Sequence, residues 1–293
     1  MGNSNDDKAG RRALLRMGLG GGALVRAATA CGGKVRLEAE SGVTKRPAGL
    51  PSTALPSAAP QPLSRTLLRP QGLNLPRRSG STPAPDEVLA LHPWHRPAFY
   101  VRDLLPDAPA NAIALTIDDG PDPRYTPMVL EVLRAHGVKA TFSMIGINVE
   151  HYPQTARQVV NEGHSICNHS MFHPIPFAML TRAQIHAEVT EAMNRIWDAA
   201  RVVPRLFRSP GGDWSPTVFQ TLATYDLAPL DWDVDPRDWA LPGVAHIEEI
   251  LDSGRGGDIL LCHDGGGNRI ETVRALHQAI PALLARKLEF VTL

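Results

Sequence analysis

The chain has no charge excess of either sign: 30 lysines and arginines offset 30 aspartates and glutamates in 293 residues. Without a net field, nothing recommends nucleic acid or an anionic membrane surface as its main partner. No apolar run reaches the roughly 18 residues of an ordinary membrane-spanning helix. Three cysteines, Cys31, Cys167 and Cys262, are too few for a disulfide framework. No internal repeat is apparent. Aromatic residues make up only 5%, so the close pair Trp232 and Trp239 stands out. What is present is a 43% hydrophobic content, enough for one core of roughly 200 residues plus extensions.

The first third of the sequence reads as address and tether. Arg11-Arg12-Ala13-Leu14-Leu15 leads into a weakly hydrophobic, glycine-rich stretch from Met17 to Val25, and the two together resemble a twin-arginine export signal. Ala28-Thr29-Ala30-Cys31-Gly32 then resembles a loose lipoprotein cleavage box, making Cys31 a candidate lipid anchor. A chance arginine pair in a disordered tail is the alternative. From Ser41 to about His95, prolines, serines and alanines dominate without helical or strand periodicity. Such a segment buries too little apolar surface to offset its ordering entropy, so an extended linker is expected. The expected organisation is residues 1–31 as export signal, 32–95 as disordered proline-rich linker and 96–293 as the folded domain. The expected location is extracellular or associated with the cell envelope.

From Asn111 onward, short apolar runs alternate with segments of helical spacing. The pattern predicts strands at 112–117, 138–144, 165–168, 206–207, 228–232, 258–262 and 290–293. Helices are predicted at 127–136, 153–161 and 181–200, the last with a Thr181…Gln184 capping box, and near 216–225, 245–252 and 270–286. Strands alternating with helices imply a parallel α/β architecture, in which ligands gather at the carboxyl ends of the strands.

The strand ends carry the chemistry. Asp118 and Asp119 sit side by side at the first. His169 and His173 follow the third, and their spacing would put both imidazoles on one face of a helical turn, aimed at one ion. Two histidines and a carboxylate leave coordination positions open for water and substrate. Arg208, at the fourth strand, suits a carboxylate that must stay ionised. The segment from Asp231 to Trp239 is dense in acid and indole, and a solvated loop with a core tryptophan is the bland alternative. His263 ends a further buried run.

In order, TIDDGP (116–121), HSMFHP (169–174), FRSPGG (207–212), DPRDW (235–239) and LCH (261–263) resemble the five motifs of the polysaccharide deacetylase family with the NodB homology domain, carbohydrate esterase family 4. The resemblance spans residues 111–293. It implies a distorted (β/α) barrel and metal-dependent removal of N-acetyl groups from an N-acetylglucosamine polymer, peptidoglycan or chitin-type oligomers. By the same resemblance Asp119, His169 and His173 bind a divalent ion, Zn²⁺ first and Co²⁺ or others as alternatives, which activates water and polarises the acetyl carbonyl. Asp118 is the implied base, held ionised by Arg208. His263 is the implied acid, its proton favoured by Asp238, or by Asp235 if the loop register differs. The backbone N–H of Gly211, just after Pro210, would receive the oxyanion, while Trp239 and Leu261 would shape the acetyl pocket. The expected partner is a polysaccharide and the expected state a monomer.

Three positions depart from the family pattern. Ile117 replaces the usual Phe. Gly211 stands where many members have Tyr or Phe, and Trp214 could supply the missing aromatic wall. Cys262 adjoins the implied acid. Period two places Cys167 on the face of His169 and Cys262 opposite His263, so no Cys167–Cys262 disulfide is expected. Competing functions are an O-acetyl esterase on acetylxylan using the same site, and a catalytically silent glycan-binding protein, whose signature would be a missing ligand or base. A glycoside hydrolase is disfavoured, because adjacent carboxylates cannot straddle a bond that needs about 5 Å or more between them.

Overall fold

The computed structural model describes residues 94–293; the export-signal and linker readings lie outside the described residues. In chain order the elements are α1 (Val101–Leu104), β1 (Ala112–Gly120), α2 (Tyr125–His136), β2 (Thr141–Met144), α3 (Gly146–His151), α4 (Pro153–Asn161), β3 (Ser165–Asn168) and α5 (Arg182–Ala200). They continue with β4 (Leu206–Phe207), α6 (Pro216–Ala223), β5 (Ala228–Pro229), α7 (Val244–Asp252), β6 (Ile259–His263), α8 (Ile270–Ala285) and β7 (Glu289–Phe290). Every strand pairing is parallel, in the order β5-β4-β3-β2-β1-β6, with β7 against the start of β1. Residues 230–234 close the gap. Leu230 bridges to Ala98 beside β5, and Val234 bridges to Leu260 of β6. The result is the expected distorted barrel, its last wall held by single bridges instead of a full ladder.

Side-chain alternation sorts β1 into two faces. Ile113, Leu115 and Ile117 pack outward into the main core beneath the helices, whereas Ala112 and Ala114 point into the barrel. The small alanines leave room at the narrow base, and the inward series continues upward through Thr116 to Asp118. Ile117 lies fully buried in the outward core. Cys262 belongs to that outward core and Cys167 to the inner cluster, both as free thiols. The barrel wall separates them, as strand periodicity requires.

Helix boundaries follow local chemistry. The Thr181 hydroxyl accepts the Gln184 N–H and the Gln184 side chain accepts the Thr181 N–H, so α5 begins with the expected box. At the end of α2, Gly137 adopts φ 67° and the Val138 N–H donates back to the Leu133 carbonyl. That bond spends Val138 on closing the helix, so β2 starts at Thr141 and not at 138. The six-residue helix α3 carries no periodicity long enough to announce it. The strand expected over 228–232 is only two residues long, because the chain leaves β4 there to cross toward β6.

Candidate active site

The site grows from the top of β1. Asp118 pairs in register with His263 of β6 and Ser143 of β2, but Gly120 is the next residue to pair with β2, opposite Met144. Asp119 is therefore the extra residue of a β-bulge, with φ 72°, a left-handed conformation that aspartate tolerates better than most residues. The bulge, not the following Gly-Pro pair, lets two neighbours that would alternate converge on one cavity. Asn148 donates to the Asp119 carbonyl at 2.9 Å. Gly265 lies so close that a Cβ there would stand 2.0 Å from that carbonyl oxygen, so only glycine fits.

The two histidines converge by a different route from the one expected. Residues 169–173 form no helical turn; Ser170 and His173 take φ of 65° and 55°. The loop is built from side-chain acceptors: Asn168 takes the Ser170 N–H, Ser170 takes that of His173, and Glu188 takes those of Met171 and Phe172. His169 Nδ1 lies 2.8 Å from the Arg208 carbonyl, which can only accept, so Nδ1 carries the proton and Nε2 faces the site. Nε2 of His169 lies 3.5 Å and Nε2 of His173 3.4 Å from Asp119 Oδ1. One donor atom from each of Asp119, His169 and His173 falls within 4.8 Å of the others. Two imidazole nitrogens and a carboxylate, one imidazole already oriented by a carbonyl, fit a divalent cation.

The charges around this trio reinforce that fit. Burial opposes ionisation of Asp119, but the neighbouring His169, His263 and His173 hold its carboxyl well below the usual range. Burial also opposes a charge on His169, yet the Asp118 and Asp119 carboxylates win and raise it. His173 is lowered, by burial and by His169. A cluster that stabilises positive charge beside two carboxylates suits a cation.

Arg208 is fully buried inside the barrel. Its Nη1 donates to Asp118 Oδ1 at 2.7 Å and to Thr116 Oγ1 at 2.8 Å, and Nη2 donates to the Asp231 carbonyl at 2.8 Å. Its guanidinium carbon lies 5.5 Å from the centre of the Trp232 ring. Across the cavity His263 Nδ1 lies 2.7 Å from Asp238 Oδ1. The other Asp238 oxygen accepts the His263 N–H and the Thr272 hydroxyl. Burial works against a charged His263, but Asp238 outweighs it and pushes the imidazole up to about 9. The register left open between two aspartates resolves to Asp238; the Asp235 carboxylate instead accepts the Arg237 N–H at the mouth.

Asp118, Asp119, His169, His173 and His263 share one cavity of about 480 Å³, walled by Ile175, Gly211, Trp232, Trp239 and Leu261, with Arg208 and Asp238 buried behind it. Pro210, just before Gly211, is buried and does not itself line the cavity. One expectation needs correction. Trp214 does not replace the missing aromatic wall, since its ring stacks on Phe219 at 5.3 Å and its Nε1–H donates to Asp231 Oδ2. Trp232 supplies that wall. Trp232 stood out in sequence only as a close partner of Trp239, and neither Ile175 nor Arg237 carries a spacing signal of its own. Two buried carboxyls also carry no motif signal: Asp231, pushed up by burial to about 6, and Asp264, pushed up by burial to about 7.

A parallel barrel with its polar groups gathered at the carboxyl ends of the strands defines a barrel enzyme. The sequence profile of the polysaccharide deacetylase family matches residues 106–230. A chitooligosaccharide deacetylase from Bradyrhizobium sp. (strain ANU 289) is 42% identical over 207 residues, covering 66% of this chain and 94% of the relative. A solved peptidoglycan N-acetylglucosamine deacetylase, in complex with a substituted N-hydroxybenzamide, aligns with TM-score 0.62 and 30% identity over 67% of this chain and 89% of its own. A family 4 carbohydrate esterase from Streptomyces lividans, in complex with acetate, aligns with TM-score 0.58 and 29% identity over 62% of this chain and 91% of its own. The chain belongs to the polysaccharide deacetylase family, carbohydrate esterase family 4.

Proposed function

We propose that this enzyme hydrolyses the acetamido groups of N-acetylglucosamine units in a polysaccharide, peptidoglycan or a chitin-type oligomer, with a divalent ion, Zn²⁺ first, held by Asp119, His169 and His173. The observation that carries the reading is one cavity containing a carboxylate fixed by a buried arginine and an imidazole paired with a buried carboxylate. Held by these three residues, such an ion would supply Lewis acidity, making a water more acidic and an acetyl carbonyl more polar. Asp118 takes the proton of the water as its oxygen attacks the acetyl carbon, and Arg208 keeps that carboxylate oriented and paired. The backbone N–H of Gly211 donates to the developing oxyanion. His263 then gives its proton to the nitrogen as the C–N bond breaks, releasing acetate and a free amine. A glucosamine leaving group needs that proton, which is why an imidazole held at about 9 suits an amide substrate.

The same proposal extends to location. Export through the twin-arginine signal in residues 1–31, a linker over 32–95 and lipid on Cys31 would tether a monomeric catalytic domain in the cell envelope. That makes cell-wall glycan the favoured polymer.

The test is acetate release from chitooligomers, peptidoglycan and acetylxylan, before and after chelation and after restoring Zn²⁺ or Co²⁺. Acetate from the N-acetylated substrates, abolished by chelator and recovered with metal, is the expected result. Activity that survives thorough chelation refutes the metal role. Shortened chains without acetate refute deacetylation, and release from acetylxylan alone turns the assignment to an ester.

A further inference from the structure

Asp264 follows the acid His263 on the polypeptide but faces away from the cavity, fully buried behind the Asp119 bulge. Its backbone N–H donates to the Asp118 carbonyl at 3.0 Å, and its successor Gly265 presses on the Asp119 carbonyl. The Thr126 hydroxyl donates to Asp264 Oδ2 at 2.6 Å while accepting the Asp122 N–H at 2.8 Å. One hydroxyl of α2 thus ties the loop leaving β1 to the loop leaving β6. Asp264 Oδ1 has no hydrogen-bond partner among the described residues. It stands 2.4 Å from where a Cβ on Gly120 would be, so the carboxyl is packed hard against the residue that follows Asp119. A buried polar oxygen left unpaired is costly, and a left-handed aspartate is strained; both persist only where the surroundings over-determine them.

We propose that Asp264, locked by Thr126, is a positioning residue: its carboxyl is the rigid floor that holds the Asp119 bulge in the conformation that binds the metal. It touches neither substrate nor ion and acts through Asp119. The inference rests on the metal reading of Asp119, His169 and His173. Removing the floor lets the bulge relax toward ordinary strand geometry, which swings the Asp119 carboxylate out of the trio. Gly120 is then required for contact with this carboxyl and not for backbone freedom, since it is absent from the positive-φ glycines.

The experiment measures Zn²⁺ affinity of the metal-stripped full-length protein by competition with a chromophoric chelator, beside its melting temperature without metal. Asp264→Ala and Thr126→Val are expected to weaken Zn²⁺ binding about 10- to 100-fold, as loss of a supporting partner typically does. Thr126→Ser keeps the hydroxyl and should keep wild-type affinity. Gly120→Ala should weaken binding alone, yet add nothing on top of Asp264→Ala, because the clashing carboxyl is gone. Affinities within about threefold of wild type in folded Asp264→Ala and Thr126→Val, whatever their melting temperatures, would overturn the proposal and leave Asp264 as core filling. If Asp264→Ala does not fold, the Thr126→Val and Thr126→Ser pair decides. A wild-type protein that binds no Zn²⁺ sinks the metal reading itself, which separates the two failures.

Discussion

Asp238→Asn is the most informative single change, because it keeps the shape of the side chain and removes the charge beside His263, while turning one of its two acceptor oxygens into a donor. Asp238 is fully buried, His263 is 12% exposed at its side chain, and they meet at 2.7 Å. Lifting the imidazole from 6.5 to about 9 corresponds to about 3 kcal/mol of preference for its charged form. Burial lowers it and the Asp118 and Asp119 carboxylates still raise it, so losing the Asp238 charge should bring the imidazole down toward its ordinary 6.5. With the protonated form as the catalytic acid, the basic limb of kcat moves down by up to about two pH units. The protonated fractions then differ by up to about 30-fold at pH 8 but by less than about twofold at pH 6. Acetate release at saturating Zn²⁺ over about pH 5.5 to 10 reads this directly, and coincident wild-type and variant profiles would refute the assignment of His263 as acid. Linkage supplies a second readout. A raised folded-state pKa stabilises the fold fully below 6.5, and the gain is lost as pH rises through about 9. The melting-temperature advantage of the metal-free wild type over Asp238→Asn should therefore shrink across that window.

Three further outcomes are expected. Arg208→Met leaves the buried Asp118 carboxylate unpaired, so urea denaturation at neutral pH should show a loss of about 3–5 kcal/mol; a loss under about 1 kcal/mol would contradict the buried pairing. The proton that Asp118 and Asp119 stabilise on His169 competes with a cation, so Zn²⁺ affinity should strengthen as pH rises above histidine's ordinary 6.5; a flat affinity over about pH 5.5 to 8 counts against the site. Burial pushes the Cys167 thiol up to about 12 and raises Cys262 well above its ordinary value, so neither should react with a thiol reagent in the folded protein, and both should react in guanidinium. Rapid labelling of either one in the native state would contradict the packing of the barrel wall.

The parts legible in the chain were those that local periodicity or turn chemistry controls. Strand parity correctly separates Cys167 from Cys262. The Thr181…Gln184 box marks the start of α5 correctly. Errors cluster where the backbone leaves regular geometry. His169 and His173 do converge, through two left-handed residues and side-chain acceptors and not through a helical turn. Trp214 was expected at the cavity, but its place in the fold sends it to the outer cluster, while Trp232 lines the cavity.

Residue order alone therefore carried a parallel α/β architecture and the strand-end placement of the polar groups, both of which depend on local periodicity, while the barrel and the pairing of Arg208 with Asp118 were implied by the family resemblance. Contacts between segments far apart in sequence decided the rest. Asp238 rather than Asp235 supports His263, because the crossing loop folds back with Asp238 under β6. Asp119 turns toward the histidines because Asn148, Gly265 and the Thr126–Asp264 pair hold a bulge that no local propensity would select. Strained geometry of this kind is stable only once distant parts of the chain have packed around it, so the adjacent acids find different partners, Asp119 the two histidines and Asp118 the guanidinium of Arg208, only in the folded barrel.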